Sequence, residues 1–133
     1  MPLFTGVALT GDDVKNYEID SSSGDKTLNI PASTTQGIRL RGFIAIPSTG
    51  GSSGDTENRK IEFTERSDSS VLFTAYFTQA ADTSNYGDTP FINVMLPGLG
   101  IRFESGIQAS IESDYCERIS VFYSGTSSAS DGS

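Results

Sequence analysis

The chain has 133 residues, 17 acidic against 9 basic, no histidine and one cysteine. That length bounds it to one domain with a single core, and a net charge of -8 argues against a nucleic-acid partner, since affinity for a phosphate backbone needs clustered Lys and Arg. Cys116 alone can form neither an internal disulfide nor, without histidine, a Cys/His zinc site.

Fourteen glycines and a hydrophobic content of only 35% predict short strands separated by many turns. The expected fold is all-β: a single-domain antiparallel β-sandwich or jelly-roll-like barrel over residues 1–125, with an N-terminal arm at 1–10 and a flexible Ser/Gly-rich tail at 126–133. The opening "MPLFTGVALTG" lacks the charged start and long apolar run of a signal peptide, and no stretch approaches the ~18 apolar residues of a membrane span. Neither a leader nor a membrane partner is expected.

In chain order, Leu3, Phe4, Val7, Ala8 and Leu9 follow no clean period. They read either as an arm reaching onto a neighbouring subunit or as a first edge strand. Residues 11–35 are polar, with brief apolar signals at 14–19 and 28–30 that predict one or two short strands. Residues 36–47, "QGIRLRGFIAIP", alternate: Ile38, Leu40, Gly42, Ile44 and Ile46 share one face, Arg39, Arg41, Phe43 and Ala45 the other. Residues 48–58, "STGGSSGDTEN", carry no hydrophobic side chain and read as a protruding, mobile loop. Strands follow at 59–65, at 70–78 and at 91–97. The second is apolar on both faces and is therefore expected in the middle of a sheet.

The C-terminal third alternates most strongly. Ile107, Ala109 and Ile111 can oppose Tyr123, Val121 and Ile119 across a connection at 112–118. Leu99, Ile101 and Phe103 can likewise oppose Ile111, Ala109 and Ile107 across a loop of Glu104, Ser105 and Gly106, whose last position suits a left-handed glycine. A hairpin or a sharp bulge at Ser105 and Gly106 is favoured over one unbroken strand from 99 to 111.

Little here points to catalysis. Ser105, in "RFESG", lacks the glycine spacing of a nucleophile elbow, since Phe103 stands where the first glycine is needed. No histidine exists to activate it, and the only lysines are Lys15, Lys26 and Lys60. Asp12 with Asp13, or Glu62 with Glu65, could form a glycosidase pair, but nothing fixes their separation and solvated carboxylates are the ordinary reading. The loops "GDTEN" and "GDD" lack the spaced acidic pattern of a calcium site. "GDDVK" and "PGLG" lack the lysine placement and following helix of a phosphate-binding loop, and read as turns.

"LPGLGIRFESGI", then "ISVFYSG", with the upstream "IRLRGFIAIP", resembles a group of small β-rich virion proteins of tailed bacteriophages. The similarity is strongest over 96–125, weaker over 38–78 and absent from 1–35. It implies a non-enzymatic capsid decoration, cement or knob protein on the virion surface, made in the host cytoplasm without a cofactor. Its partners would be the major capsid protein and further copies of itself, as a homo-oligomer. An acidic, disulfide-free β-domain with polar loops suits a surface component repeated at high density.

Two alternatives are a receptor-binding fibre-tip or tail module using its variable loops, and a carbohydrate-binding module whose platforms would come from Tyr17, Tyr76, Tyr86, Phe43 and Phe122. For attachment to a shell the first candidates are Arg39 and Arg41, sharing a strand face with Phe43 as a cationic and apolar stripe. Leu3 and Phe4 of the terminal segment are second. The competing reading pairs the two arginines with Glu62 and Glu65 on a neighbouring strand.

Overall fold

The computed structural model describes residues 14–48, 57–79 and 91–125. Within them lie nine strands: β1 (Val14–Asp20), β2 (Lys26–Pro31), β3 (Ile38–Pro47), β4 (Glu57–Glu65), β5 (Val71–Gln79), β6 (Ile92–Met95), β7 (Ile101–Phe103), β8 (Gly106–Ile111) and β9 (Cys116–Gly125). None of these residues is helical. The proposed arm with Leu3 and Phe4, residues 49–56 of the polar loop and the tail at 126–133 lie outside the described residues. Glu57 and Asn58, expected in the loop, begin β4.

The strands form two antiparallel sheets around one core. A five-stranded sheet has the order β1-β9-β3-β6, with β7 also paired to β3, and a four-stranded sheet has the order β2-β8-β4-β5. Period-two alternation sends one face of each strand inward: Leu28 and Ile30 from β2, Ile107, Ala109 and Ile111 from β8, Ile119, Val121 and Tyr123 from β9. Each large aliphatic or aromatic side chain so buried contributes about 1.5–3 kcal/mol. Aromatic contacts tie the layers together, Phe43 of the five-stranded sheet lying 5.3 Å from Phe63, which lies 6.0 Å from Phe73.

Strand neighbours in sequence are seldom neighbours in a sheet. Among the described strands only β4 and β5 are both consecutive and hydrogen-bonded. Their turn is held by Asp68 Oδ1, which accepts from the Ser70 N–H at 3.0 Å and the Ser70 hydroxyl at 2.7 Å.

Both expected C-terminal hairpins are therefore corrected. β7 pairs with β3 in one sheet while β8 pairs with β2 and β4 in the other, so the Ser105–Gly106 corner carries the chain across the core. Gly106 takes φ +130°, and a Cβ there would lie 2.5 Å from the Ile30 carbonyl oxygen, which explains the glycine. Ile107, Ala109 and Ile111 face the layer holding Ile119, Val121 and Tyr123 across the core rather than pairing with them, because β9 sits between β1 and β3. The inward faces of β8 and β9 are as expected, but Leu99, expected inward with Ile101 and Phe103, is 55% exposed and precedes β7; alternation does not distinguish a partner beside a strand from one opposite it.

A further correction concerns β5, which among the described strands is an edge and not a central strand. Its second apolar face is exposed, with Val71 at 47%, Leu72 at 40% and Tyr76 at 76%.

Candidate functional site: the outer face of the five-stranded sheet

The strand carrying Arg39 and Arg41 contains one extra residue. In the β3–β9 ladder Leu40 stands opposite Tyr123 and Gly42 opposite Phe122, leaving Arg41 as a bulge. The inserted residue reverses the pleat. Ile38 and Leu40 point inward before it, and Phe43 and Ala45 point inward after it. The expected stripe of Arg39, Arg41 and Phe43 is thus broken: Phe43 is fully buried against Phe63, while Ile44 and Ile46 come outward, half-buried, on the arginine side. The expected partners of the arginines are also elsewhere, since Glu62 and Glu65 belong to the other sheet and Glu62 pairs with Lys60 at 3.3 Å.

Gly42 completes the bulge. A Cβ there would lie 2.5 Å from the Val94 carbonyl oxygen and 2.9 Å from Met95 Sδ, so the methionine sulfur lies over the bare glycine backbone. Register across the sheet runs Asn16, Phe122, Gly42, Met95. Phe122 and Met95 therefore flank a position without a side chain, Ile44 lies two residues along, and together they make an apolar centre. Met95 is 63% exposed.

One end of this centre is cationic. Arg41 Nη1 donates to Ser124 Oγ at 3.4 Å, laying the guanidinium along the face. Arg102 of β7 stands opposite Arg39. Its guanidinium is fixed by donation to the Gln36 and Thr35 carbonyls at 3.0 and 3.1 Å and by an ion pair with Glu104 at 3.6 Å. Three of the nine cationic side chains of the whole sequence thus gather at one end of one sheet face, in a chain of net charge -8. At the other end lie Glu18 and Asp20, the latter 3.0 Å from Arg118. Two hydrogen bonds from Ser22, its hydroxyl and its N–H, with the nearby Arg118, hold the Asp20 carboxyl below the usual range.

The opposite sheet offers a different surface. β4 and β8 pair only at Thr64 with Gln108 and Glu65 with Ile107, then diverge. The gap is a polar cavity of about 590 Å³ bordered by Thr27, Lys60, Glu62, Gln108, Ser110 and Tyr115. Tyr115 packs on Phe77 at 6.0 Å, carries Arg59 over its ring at 5.3 Å and donates to Glu112 Oε2 at 3.1 Å. Burial first, and the Glu112 carboxylate second, push its phenol up to about 12.

Ser105 is a structural residue. Its hydroxyl donates to Glu65 Oε1 at 2.5 Å and accepts from the Ser67 N–H at 2.9 Å. The Ser105 and Glu104 N–H groups also donate to the Glu65 carboxylate, at 2.7 and 2.9 Å. Burial at 9% exposure opposes ionisation of Glu65, but these three hydrogen bonds outweigh it and hold the carboxyl below its ordinary value. Glu65 thereby clips the inter-sheet corner to the end of β4. Cys116 is buried, which pushes its thiol up to about 11, a poor nucleophile at neutral pH. Among the described residues no cluster of three or more Cys, Asp or Glu could hold a metal ion.

The proposed aromatic platforms are not brought together. Phe43 is in the core, Tyr17 packs against it, Tyr76 stands on the far edge, Phe122 is on the arginine face and Tyr86 lies outside the described residues. Sequence reasoning missed Arg102, Met95 and Tyr115. Arg102 and Met95 alternate with the inward Ile101, Phe103 and Val94, a signal that was available once those strands were assigned. No protein-family model, curated protein or solved structure matches the chain.

Proposed function

We propose that this is a non-enzymatic structural protein that seats on a larger protein assembly through the outer face of its five-stranded sheet. The observation that carries this reading is the joint presence of Arg39, Arg41 and Arg102 with Phe122, Met95 and Ile44 on one rigid face of an otherwise acidic chain. Arginine beside a half-buried aromatic and an exposed methionine matches the composition of the buried centre of protein interfaces, where the guanidinium pairs bidentately and stacks. The resemblance of "LPGLGIRFESGI" and "ISVFYSG" to tailed-phage virion proteins supplies the partner: the major capsid protein, with the chain as a decoration or cement subunit of a β-sandwich kind on the virion surface.

The test uses particles lacking the protein. Arg39→Glu with Arg41→Glu abolishes or strongly weakens rebinding while circular dichroism is unchanged, and removal of residues 126–133 leaves rebinding intact. Undiminished binding of the double variant refutes this face as the attachment site.

The alternative of a receptor- or carbohydrate-binding tail module draws on the polar cavity of the other sheet, whose amide, hydroxyl and carboxylate groups surround one aromatic ring. Copy number per particle separates the two. A number comparable to the shell protein fits decoration, and a handful fits the tail.

A further inference from the structure

A β-sheet edge is a row of unsatisfied N–H and C=O groups that will pair with another chain unless something prevents it. Three edges among the described strands carry such protection. β1 has Lys15, Glu18 and Asp20, β2 has Lys26 and ends on Pro31, and β6 is four residues long and β7 three. The fourth edge, β5, has none along most of its length. From Val71 to Thr78 it reads VLFTAYFT, without charge or proline.

The outward groups on β5 can be identified. The Glu65 N–H donates to the Ser70 carbonyl while the Arg66 N–H donates to Gly106, so alternate residues of β4 turn their peptide groups towards β5 and β8. Phe73, Ala75 and Phe77 stand opposite Phe63, Ile61 and Arg59 and turn their peptide groups to β4. Thr74, Tyr76 and Thr78 turn theirs away from the sheet. A bulge at Leu72, between the pairs Phe63 with Phe73 and Thr64 with Val71, limits the regular edge to residues 73–79, whose midpoint is Tyr76.

We infer that this edge pairs antiparallel with the same edge of a second copy, about a two-fold axis at Tyr76, joining two four-stranded sheets into one of eight. The occupant is another copy because the stretch is self-complementary. Reversal about Tyr76 sets Thr74 against Thr78 of the partner subunit, Ala75 against Phe77 of the partner subunit, and the two tyrosines against each other. Threonine pairs and aromatic pairs are both favourable cross-strand neighbours. Charge favours the same place. Each copy carries a net -8, and β5 brings two copies together along a run without carboxylates from Val71 to Thr78. Exposure fits as well, since Tyr76 is 76% exposed. The pairing uses each edge once, so it closes at two copies. Its area is at the small end for a specific interface, which makes the association weak and salt-sensitive. It leaves the arginine face of the other sheet free and is independent of what that face binds.

Sedimentation of the full chain over a range of concentrations tests the pairing. The expected result is a mass rising to twice the 14.1 kDa of one chain, at lower concentration when salt is added to screen the acidic copies. Tyr76→Lys, which sets like charges on the axis, should be monomeric throughout with unchanged circular dichroism. Tyr76→Cys should form a self-linked disulfide dimer under mild oxidation, since directly opposite strand residues are about 5.5 Å apart at Cα. The inference is overturned if the parent chain stays monomeric up to about 1 mM. It is equally overturned if Tyr76→Lys still dimerises, if Tyr76→Cys does not cross-link, or if the amides of Thr74, Tyr76 and Thr78 are protected from hydrogen exchange in a monomer, which would mean that the chain covers its own edge.

Discussion

On the four-stranded sheet the outward positions of β4 and β8 are Lys60, Glu62, Thr64, Gln108 and Ser110, all polar or charged. On the five-stranded sheet the corresponding positions of β3, β6 and β9 are Arg39, Arg41, Ile44, Met95 and Phe122. Both inner faces are built alike, from aliphatic and aromatic residues in period two. An antiparallel sheet needs only one apolar face to fold, so large apolar groups on a second face call for an explanation outside the core. The contrast supports the proposed attachment face, and the Arg41 bulge shapes that face by turning Ile44 and Ile46 out while sending Phe43 in.

The sharpest way to break this contrast is to truncate on either side of the reversed pleat. Phe43→Ala should cost about 3–5 kcal/mol in chemical denaturation, as expected of a fully buried aromatic, whereas Ile44→Ala should cost far less; equal costs would refute the reversal. Gly106→Val should cost about 2 kcal/mol or more, from a left-handed backbone and a clash with Ile30, and would show how strongly both sheets depend on their shared corner. Glu65→Gln should cost about 1–3 kcal/mol at neutral pH by weakening the corner's hydrogen bonds. Because the folded carboxyl titrates below its ordinary 4.5, that stabilisation is complete above this value and is lost as pH falls through the folded value. Parent and variant should therefore converge in acid urea titrations. Phe122→Ser with Met95→Ser should change stability by no more than about 1 kcal/mol while lowering particle binding. Asp20→Asn, at an exposed ion pair away from the apolar centre, should change neither measurably.

Strand existence was legible almost throughout, because β2, β3, β4, β8 and β9 all alternate in sequence. Position within a sheet was not. The apolar VLFTAYFT has the pattern of a doubly covered strand and proved to be an edge, since composition reports what a face could bury and not whether a neighbour arrives. The bulge was invisible because an inserted arginine leaves the letters alternating while the backbone reverses phase. Arg39 and Arg41 were singled out from their charge and their shared strand face, whereas their apolar neighbours on that face, Ile44 and Ile46, required the reversed phase. For Ser105, turn chemistry gave the right class, but its partner Glu65 lies in another strand. A sequence hint existed there: Glu65 continues the inward series Ile61 and Phe63, where a carboxylate needs hydrogen-bond donors.

The position of β9 sets the timetable of folding. It runs between β1 and β3, so the first and third strands cannot be joined in one layer until Cys116–Gly125 is in place. Loop-closure entropy must be met before those distant pairings return any stabilisation. A chain emerging during synthesis can form the β4–β5 turn early, but its five-stranded layer must wait, with Leu40, Phe43 and Ile38 still in water. Closure of that layer is also what brings Phe122 between Asn16 and Gly42 and so completes the apolar centre of the outer face. On the proposed function, a partially synthesised chain would lack the surface that seats it until β9 is in place.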